Sequence, residues 1–159
     1  MTEYFDLYTA DRRKLGRKIQ RGAPIPHGEY HIVVQIMSVN SLGEILLTQR
    51  VPQKTSGGRW ECSGGCAVSG ETSREAAVRE LFEETGFRTR LIPGARAATE
   101  YRISPVARKQ VVFFLGEVHG EPKLQAKEIR SCRWVKPGEL GQYLLPQVAD
   151  AAKALLARI

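Results

Sequence analysis

The stretch ETSREAAVRELFEETGF, Glu71 to Phe87, constrains the fold more than any other part of the chain. Thr72 and Glu75 stand at the spacing of a capping box, in which the two side chains satisfy orphan backbone donors at a helix start. Gly86 is free to take the left-handed conformation that ends a helix. The spacing predicts a helix from about Ser73 to Thr85. Ala77, Val78, Leu81, Phe82 and Thr85 fall on one broad face, which predicts packing on a sheet. Glu80, Glu83 and Glu84 gather on the other face, in the last two turns. A helix C-terminus carries partial negative charge, so an exposed anion there costs about 0.3–1 kcal/mol. Like-charge pairs three and four residues apart cost a few tenths more. A solvated acidic face is the simple explanation, because glutamate forms helices well. A divalent cation is the other: it would turn the mutual repulsion into attraction. The Gly-rich run SGGCAVSG just upstream reads as a loop whose irregular backbone can present carbonyl oxygens. Carboxylates with a carbonyl make a hard-oxygen site suited to Mg²⁺ or Mn²⁺.

The rest of the chain reads as interspersed strands and helices. YFDLY, DRRKLG and RKIQRG suggest an opening hairpin, punctuated by APIP. Tyr30–Val39 is apolar and β-branched and predicts a buried strand, with Glu44–Arg50 as its hairpin partner. RWEC predicts a short strand; RAATEYRI, QVVFFLGEV and EIRSCRWV predict three more. In the last of these, Ile129, Cys132 and Trp134 are candidates for the buried side. QVADAAKALLARI predicts a closing helix, with Val148, Ala152, Leu155 and Ile159 on its apolar stripe. The alternation is not strictly strand–helix–strand, which predicts an α/β (α+β) fold with a central mixed sheet covered by helices on both faces.

At 159 residues the chain is expected to form one domain over 1–159, with 1–28 as a hairpin extension. No apolar run approaches the ~20 residues of a membrane span, so no membrane partner is expected. The N-terminus lacks a stretch of signal-peptide type. Three cysteines, an odd number, give no disulfide framework. These features predict a cytoplasmic location. The net charge of +7 suits anionic partners. Much of it lies in Arg12, Arg13, Lys14, Arg17, Lys18 and Arg21. No aromatic residues interleave with that run, so a solvated hairpin is favoured over a nucleic-acid-binding arm. A homodimer is expected on frequency alone.

Gly65 to Phe87 resembles the Nudix box. Gly65, Glu71, Arg79, Glu80, Leu81, Glu83, Glu84, Gly86 and Phe87 occupy the positions that pattern fixes. The resemblance implies a Nudix-type α/β/α sandwich and hydrolysis of a nucleoside diphosphate linked to another group, with Mg²⁺ or Mn²⁺ as cofactor. It implies that Glu80, Glu83, Glu84 and the Gly65 carbonyl hold the metal, that Glu80 doubles as a base, and that Arg79 and Glu71 position the carboxylates. Glu128 resembles a second acid supplied by a later loop; Glu100, Glu117 and Glu121 are weaker candidates. Arg50 would hold a phosphate and Trp60 would stack on a base, each against a packing role. Tyr101 and Pro105 lie where the family's specificity loops sit, at spacings that do not name a substrate.

The flanking sequence is also similar to a subgroup related to isopentenyl diphosphate isomerases. Those enzymes need a catalytic cysteine and histidine ligands. Cys62 and Cys66 flank the expected position, His31 matches one histidine and His27 is poorly spaced for the other. Because the box is complete here, hydrolysis is favoured over isomerisation. A non-catalytic nucleotide- or RNA-binding module is the third alternative. Cys62, Cys66 and Cys132 are too loosely spaced for zinc. His31 reads as structural and His119 as a turn residue.

Overall fold

The computed structural model describes residues 1–102, 105 and 108–159, the Arg108 side chain excepted. Strands β1 (Tyr4–Tyr8) and β2 (Lys14–Gln20) form an antiparallel hairpin. A seven-stranded mixed sheet follows, built from β3 (Val33–Val39), β4 (Ile45–Arg50), β5 (Trp60–Glu61), β6 (Ser63–Cys66), β7 (Arg90–Arg102), β8 (Arg108–Glu117) and β9 (Ile129–Val135). Helix α1 spans Ser73–Thr85 and α2 spans Pro146–Leu156, preceded by a 3₁₀ turn at Pro137–Gln142.

The two faces of the sheet follow from strand periodicity. Val34 and Ile36 of β3, Leu46 of β4, and Val112 and Phe114 of β8 meet Ala76, Ala77 and Leu81 of α1. Their neighbours Met37, Val39, Ile45, Leu47, Val111, Phe113 and Leu115 meet Leu140, Val148, Ala152 and Leu155 on the α2 side. A helix therefore covers each face, as the interspersed pattern predicts.

Several local expectations change. The strand expected at Tyr30 begins at Val33; Tyr30 itself bridges Tyr8 of the hairpin. β4 meets β3 only at the turn, Val39 opposite Ile45, and pairs along its length with β9. The first half of the Gly-rich run is not a loop but β6, antiparallel to β3. Glycine permits this: a Cβ at Gly64 would lie 2.2 Å from the Val34 carbonyl oxygen. Phe82 is exposed rather than packed, and Ile159 lies beyond the end of α2 in solvent. In β9, Ile129 is buried while Cys132 and Trp134 are half-buried. The strand predicted through Ile103 is described as far as Arg102, and Ile103 lies outside the described residues. Among the described residues no helix is long and apolar enough to cross a membrane.

The basic hairpin is largely neutralised from within. Lys14 pairs with Asp6, Arg17 with Glu29, Arg21 with Glu3 and Arg13 with Asp11. Lys18 lies over the ring of Tyr4. These charges are paired or stacked within the fold.

Candidate active site

The box forms as its sequence dictates. The Thr72 hydroxyl accepts from the Glu75 amide at 3.2 Å, and the Glu75 carboxylate accepts from the Thr72 amide at 2.8 Å. Gly86 ends α1 at φ 74° and donates its N–H to the Phe82 carbonyl. The end of the helix receives further help from outside. The Lys123 amide donates to the Thr85 carbonyl at 2.7 Å, and the Gln125 amide to the Glu84 carbonyl at 2.9 Å. These external donors satisfy carbonyls that a helix terminus leaves orphaned. They oppose the local negative potential under the glutamates.

Arg79 organises the cluster. A guanidinium has five N–H donors in a planar fork, and each one here finds an acceptor. Nε and Nη2 bind the two oxygens of Glu71 at 2.8 and 3.0 Å. Nη1 reaches Glu80 at 2.9 Å and Glu83 at 3.1 Å, and Nη2 also reaches the Cys66 carbonyl at 3.1 Å. Glu71 in turn accepts from the Val68 amide at 3.0 Å. The loop, Glu71, Arg79 and two carboxylates thus form one continuous network. Hydrogen bonding to Glu71 holds the Arg79 guanidinium well above its ordinary range.

The three helix glutamates occupy different environments. Glu83 is exposed. Glu80 is mostly covered and lies against Gly65: a Cβ on that glycine would sit 2.5 Å from the Glu80 carboxyl carbon. Burial raises the Glu80 pKa, although Arg79 opposes it. Glu84 is 4% exposed, and its Oε2 is buried with no hydrogen-bond partner. Burial pushes its carboxyl up to about 8, with Glu80 and Glu61 adding repulsion and Ser63 opposing through a hydrogen bond. A buried, unpartnered carboxylate oxygen costs several kcal/mol unless a proton or cation meets it.

The donor set fits a divalent cation. Glu80, Glu83 and Glu84 offer carboxylate oxygens, and Gly65 offers an uncluttered backbone beside Glu80. Among the described residues no three acidic, histidine or cysteine side chains converge into a preformed cage. Arg79 instead draws Glu80 and Glu83 to itself, as neighbouring carboxylates require a counter-charge.

The other predicted residues divide sharply. β9 opens opposite the end of β4, Ile129 beside Arg50, which places Glu128 at the same edge; its carbonyl accepts from the Val51 amide. Beyond the effect of burial, the Glu128 charge adds to the rise at Glu80 and Glu84, and its carboxylate lies 3.9 Å from Lys54 Nζ. Glu117 lies at the far end of β8 opposite Arg90, away from the cluster. Glu100 sits on β7 opposite Gln110, and Glu121 in the loop beyond β8.

Arg50 and Trp60 line a cleft of about 330 Å³ together with Gln35, Glu61, Tyr101 and Tyr143. Arg50 Nη1 binds Glu61 at 2.9 Å and its Nε binds the Thr55 carbonyl at 3.0 Å. Trp60 meets Tyr143 edge-on, with ring centroids 5.9 Å apart, and the Arg133 guanidinium lies near both rings. Glu61 belongs to this cleft and also acts electrostatically on Glu84, so cleft and acidic cluster adjoin. Sequence reasoning missed Glu61, Gln35 and Tyr143, which come from three separate segments. Gln35 alone carried a signal, a polar residue inside an apolar strand.

The cysteines are all free. Cys62 is fully buried in the α2-side core, and burial pushes its thiol up to about 12. Cys66 is half-buried, and burial raises its thiol as well. His31 stacks on Phe5 of the hairpin at 4.9 Å, a packing role.

Fold and site together define a mixed-sheet sandwich with a carboxylate-bearing loop and helix on one edge. The NUDIX domain family matches residues 29–159. The chain belongs to the Nudix family and is a hydrolase of that family. It is similar to the CTP pyrophosphohydrolase of Escherichia coli, at 36% identity over 72% of this chain and 84% of that one. It is also similar to the isopentenyl-diphosphate Delta-isomerase of Pectobacterium atrosepticum, at 40% identity over 74% of this chain and 68% of that one. The solved structure of DR0079 from Deinococcus radiodurans shares the fold, with a TM-score of 0.71 and 24% identity, covering 98% of each chain.

Proposed function

We propose that this protein hydrolyses a phosphoanhydride bond in a nucleoside diphosphate linked to a second group, using Mg²⁺ or Mn²⁺. The observation that carries the reading is Glu84 Oε2, a buried carboxylate oxygen with no partner, beside Glu80 and Gly65. Glu80, Glu83, Glu84 and the Gly65 carbonyl would hold the ion. When bound, such an ion neutralises phosphate oxygens, stabilises the leaving group and makes water acidic enough to be a nucleophile at neutral pH.

The chain's own groups account for the remainder. Arg79 and Glu71 orient the carboxylates and do not touch substrate. Glu80, whose carboxyl burial raises, would take the proton from the attacking water, and half-exposed Glu128 is the second candidate base. The cleft beside the cluster would take the rest of the substrate, with Trp60 offering an aromatic face for a base and Arg50 a cation for a phosphate. The likeness to an enzyme named for CTP hydrolysis supports a nucleotide substrate.

Isomerisation of a prenyl diphosphate needs an accessible catalytic thiol. Cys62 is buried in the core, and burial raises the thiol of half-buried Cys66 away from the reactive thiolate, which favours hydrolysis. A panel of nucleotides, nucleotide sugars, ADP-ribose, dinucleoside polyphosphates and isopentenyl diphosphate, assayed with Mg²⁺ and followed by ³¹P NMR, tests the reading. New phosphate monoesters or pyrophosphate from a nucleotide, lost in EDTA, are the expected result. Conversion of isopentenyl diphosphate without phosphorus release would overturn it.

A further inference from the structure

The family match begins at residue 29, so the β1–β2 hairpin stands outside it. The hairpin nevertheless grips the box. Asp6 Oδ1 accepts from the Ser69 hydroxyl at 2.7 Å, and Oδ2 accepts from the Gly70 amide at 2.8 Å. The Ser69 amide donates to the Tyr4 carbonyl at 2.8 Å. Lys14 Nζ lies 3.4 Å from Asp6, balancing its charge. Buried Phe5, Leu7 and Tyr8 fix the hairpin to the body, Phe5 by stacking on His31 and Tyr8 by bridging Tyr30.

We infer that the N-terminal hairpin is a positioning element of the active site, with Asp6 as the latch that holds the loop ahead of Glu71. Ser69 and Gly70 stand immediately before Glu71, whose carboxylate carries the Arg79 fork and so the placement of Glu80 and Glu83. Val68, on the near side of the latch, donates its amide back to Glu71. Fixing Ser69 and Gly70 therefore fixes both ends of the Glu71 contact. Gly70 adopts φ 86°, a conformation any other residue would strain, so its amide is aimed at Asp6 by the backbone itself. The Gly70 amide holds the Asp6 carboxyl below its usual range, as expected of an acceptor engaged in its charged form. Asp6 acts through Glu71 and Arg79 and touches no reacting atom.

This inference rests on the hydrolase reading only for its kinetic consequence. Asp6→Ala, Asp6→Asn and Ser69→Ala are compared with the unmodified chain by amide hydrogen exchange and by turnover of the best panel substrate. Asparagine keeps one acceptor for the Gly70 amide and can donate its Nδ2 to the Ser69 hydroxyl, so Asp6→Asn should weaken the latch less than Asp6→Ala. The expected result is faster exchange at Gly70 and also at Val68, which Asp6 does not touch. For Asp6→Ala, kcat falls about 10-fold or more with KM nearly unchanged, and Ser69→Ala, which keeps the Gly70 bond, falls less. Exchange that quickens at Gly70 while Val68 stays protected overturns the latch, as does an unchanged kcat in a folded Asp6→Ala protein. Should Asp6→Ala fail to fold, Ser69→Ala decides by the same two readouts. Absence of turnover in the unmodified chain defeats the hydrolase reading, and the exchange pattern still judges the latch.

Discussion

Glu84 concentrates the energetic conflict of the molecule in one side chain. In the metal-free protein it keeps its proton to about pH 8, whereas the unfolded chain releases it near 4.5. Between those values the native state binds more protons than the unfolded one, so stability falls as pH rises. The melting temperature in EDTA should therefore drop from about pH 5 to about pH 8. Glu84→Gln removes the titration, so its curve should be flatter and its stability at pH 8 higher, by on the order of a few kcal/mol at most. The same substitution should reduce turnover on the order of a hundredfold or more. Mg²⁺ should raise the melting temperature of the parent at pH 8 and leave the variant nearly unmoved. A variant that melts lower than the parent at pH 8 in EDTA would remove the claim that this carboxylate is strained.

At the scale of the element, β6, the loop and α1 work as one unit because Gly65 lets strand and helix close on each other. Gly65→Ala would set a methyl 2.5 Å from the Glu80 carboxyl carbon. Glu80 must then swing away from Arg79 or β6 must shift. Overpacking of this kind costs about 1–3 kcal/mol, and misplacing a reacting group by an ångström costs roughly a hundredfold in rate. Thermal melts and kcat measured on one preparation check both numbers; a variant with parental kcat would free Gly65 from the site. The helix half of this unit was legible in the sequence, since capping box and terminal glycine are local signals. The strand half was not: Ser63–Cys66 reads as loop chemistry, and only its pairing with β3, distant in sequence, makes it β6. The burial of Glu84 was hidden for a related reason. Helical periodicity locates a face relative to one sheet, but strand β6 also packs on α1, Ser63 bonds the Glu84 carboxyl, and the loop at Lys123–Gln125 caps the helix end. Arg50 and Trp60 could be named from strand ends, whereas Gln35 and Tyr143 join them only through the tertiary fold.

At the scale of the whole molecule, one sheet serves two cores with different duties. Leu81 of α1 and Leu155 of α2 are both completely buried, on opposite faces. Truncating either to alanine opens a cavity and should destabilise the fold by about 2–5 kcal/mol. Their effects on turnover should differ. Leu81 anchors the helix that carries Glu80, Glu83 and Glu84, so collapse around its cavity shifts those carboxylates relative to Gly65 and Ser63. Leu155 anchors a helix that bears none of them. Both variants, assayed well below their melting temperatures so that each is fully folded, should separate: Leu81→Ala should lose kcat about 10-fold or more, and Leu155→Ala should retain most of it. Equal losses would mean that the sheet transmits distortion from one face to the other. In that case the acidic cluster would depend on the rigidity of the entire sandwich and not on the local seat of α1.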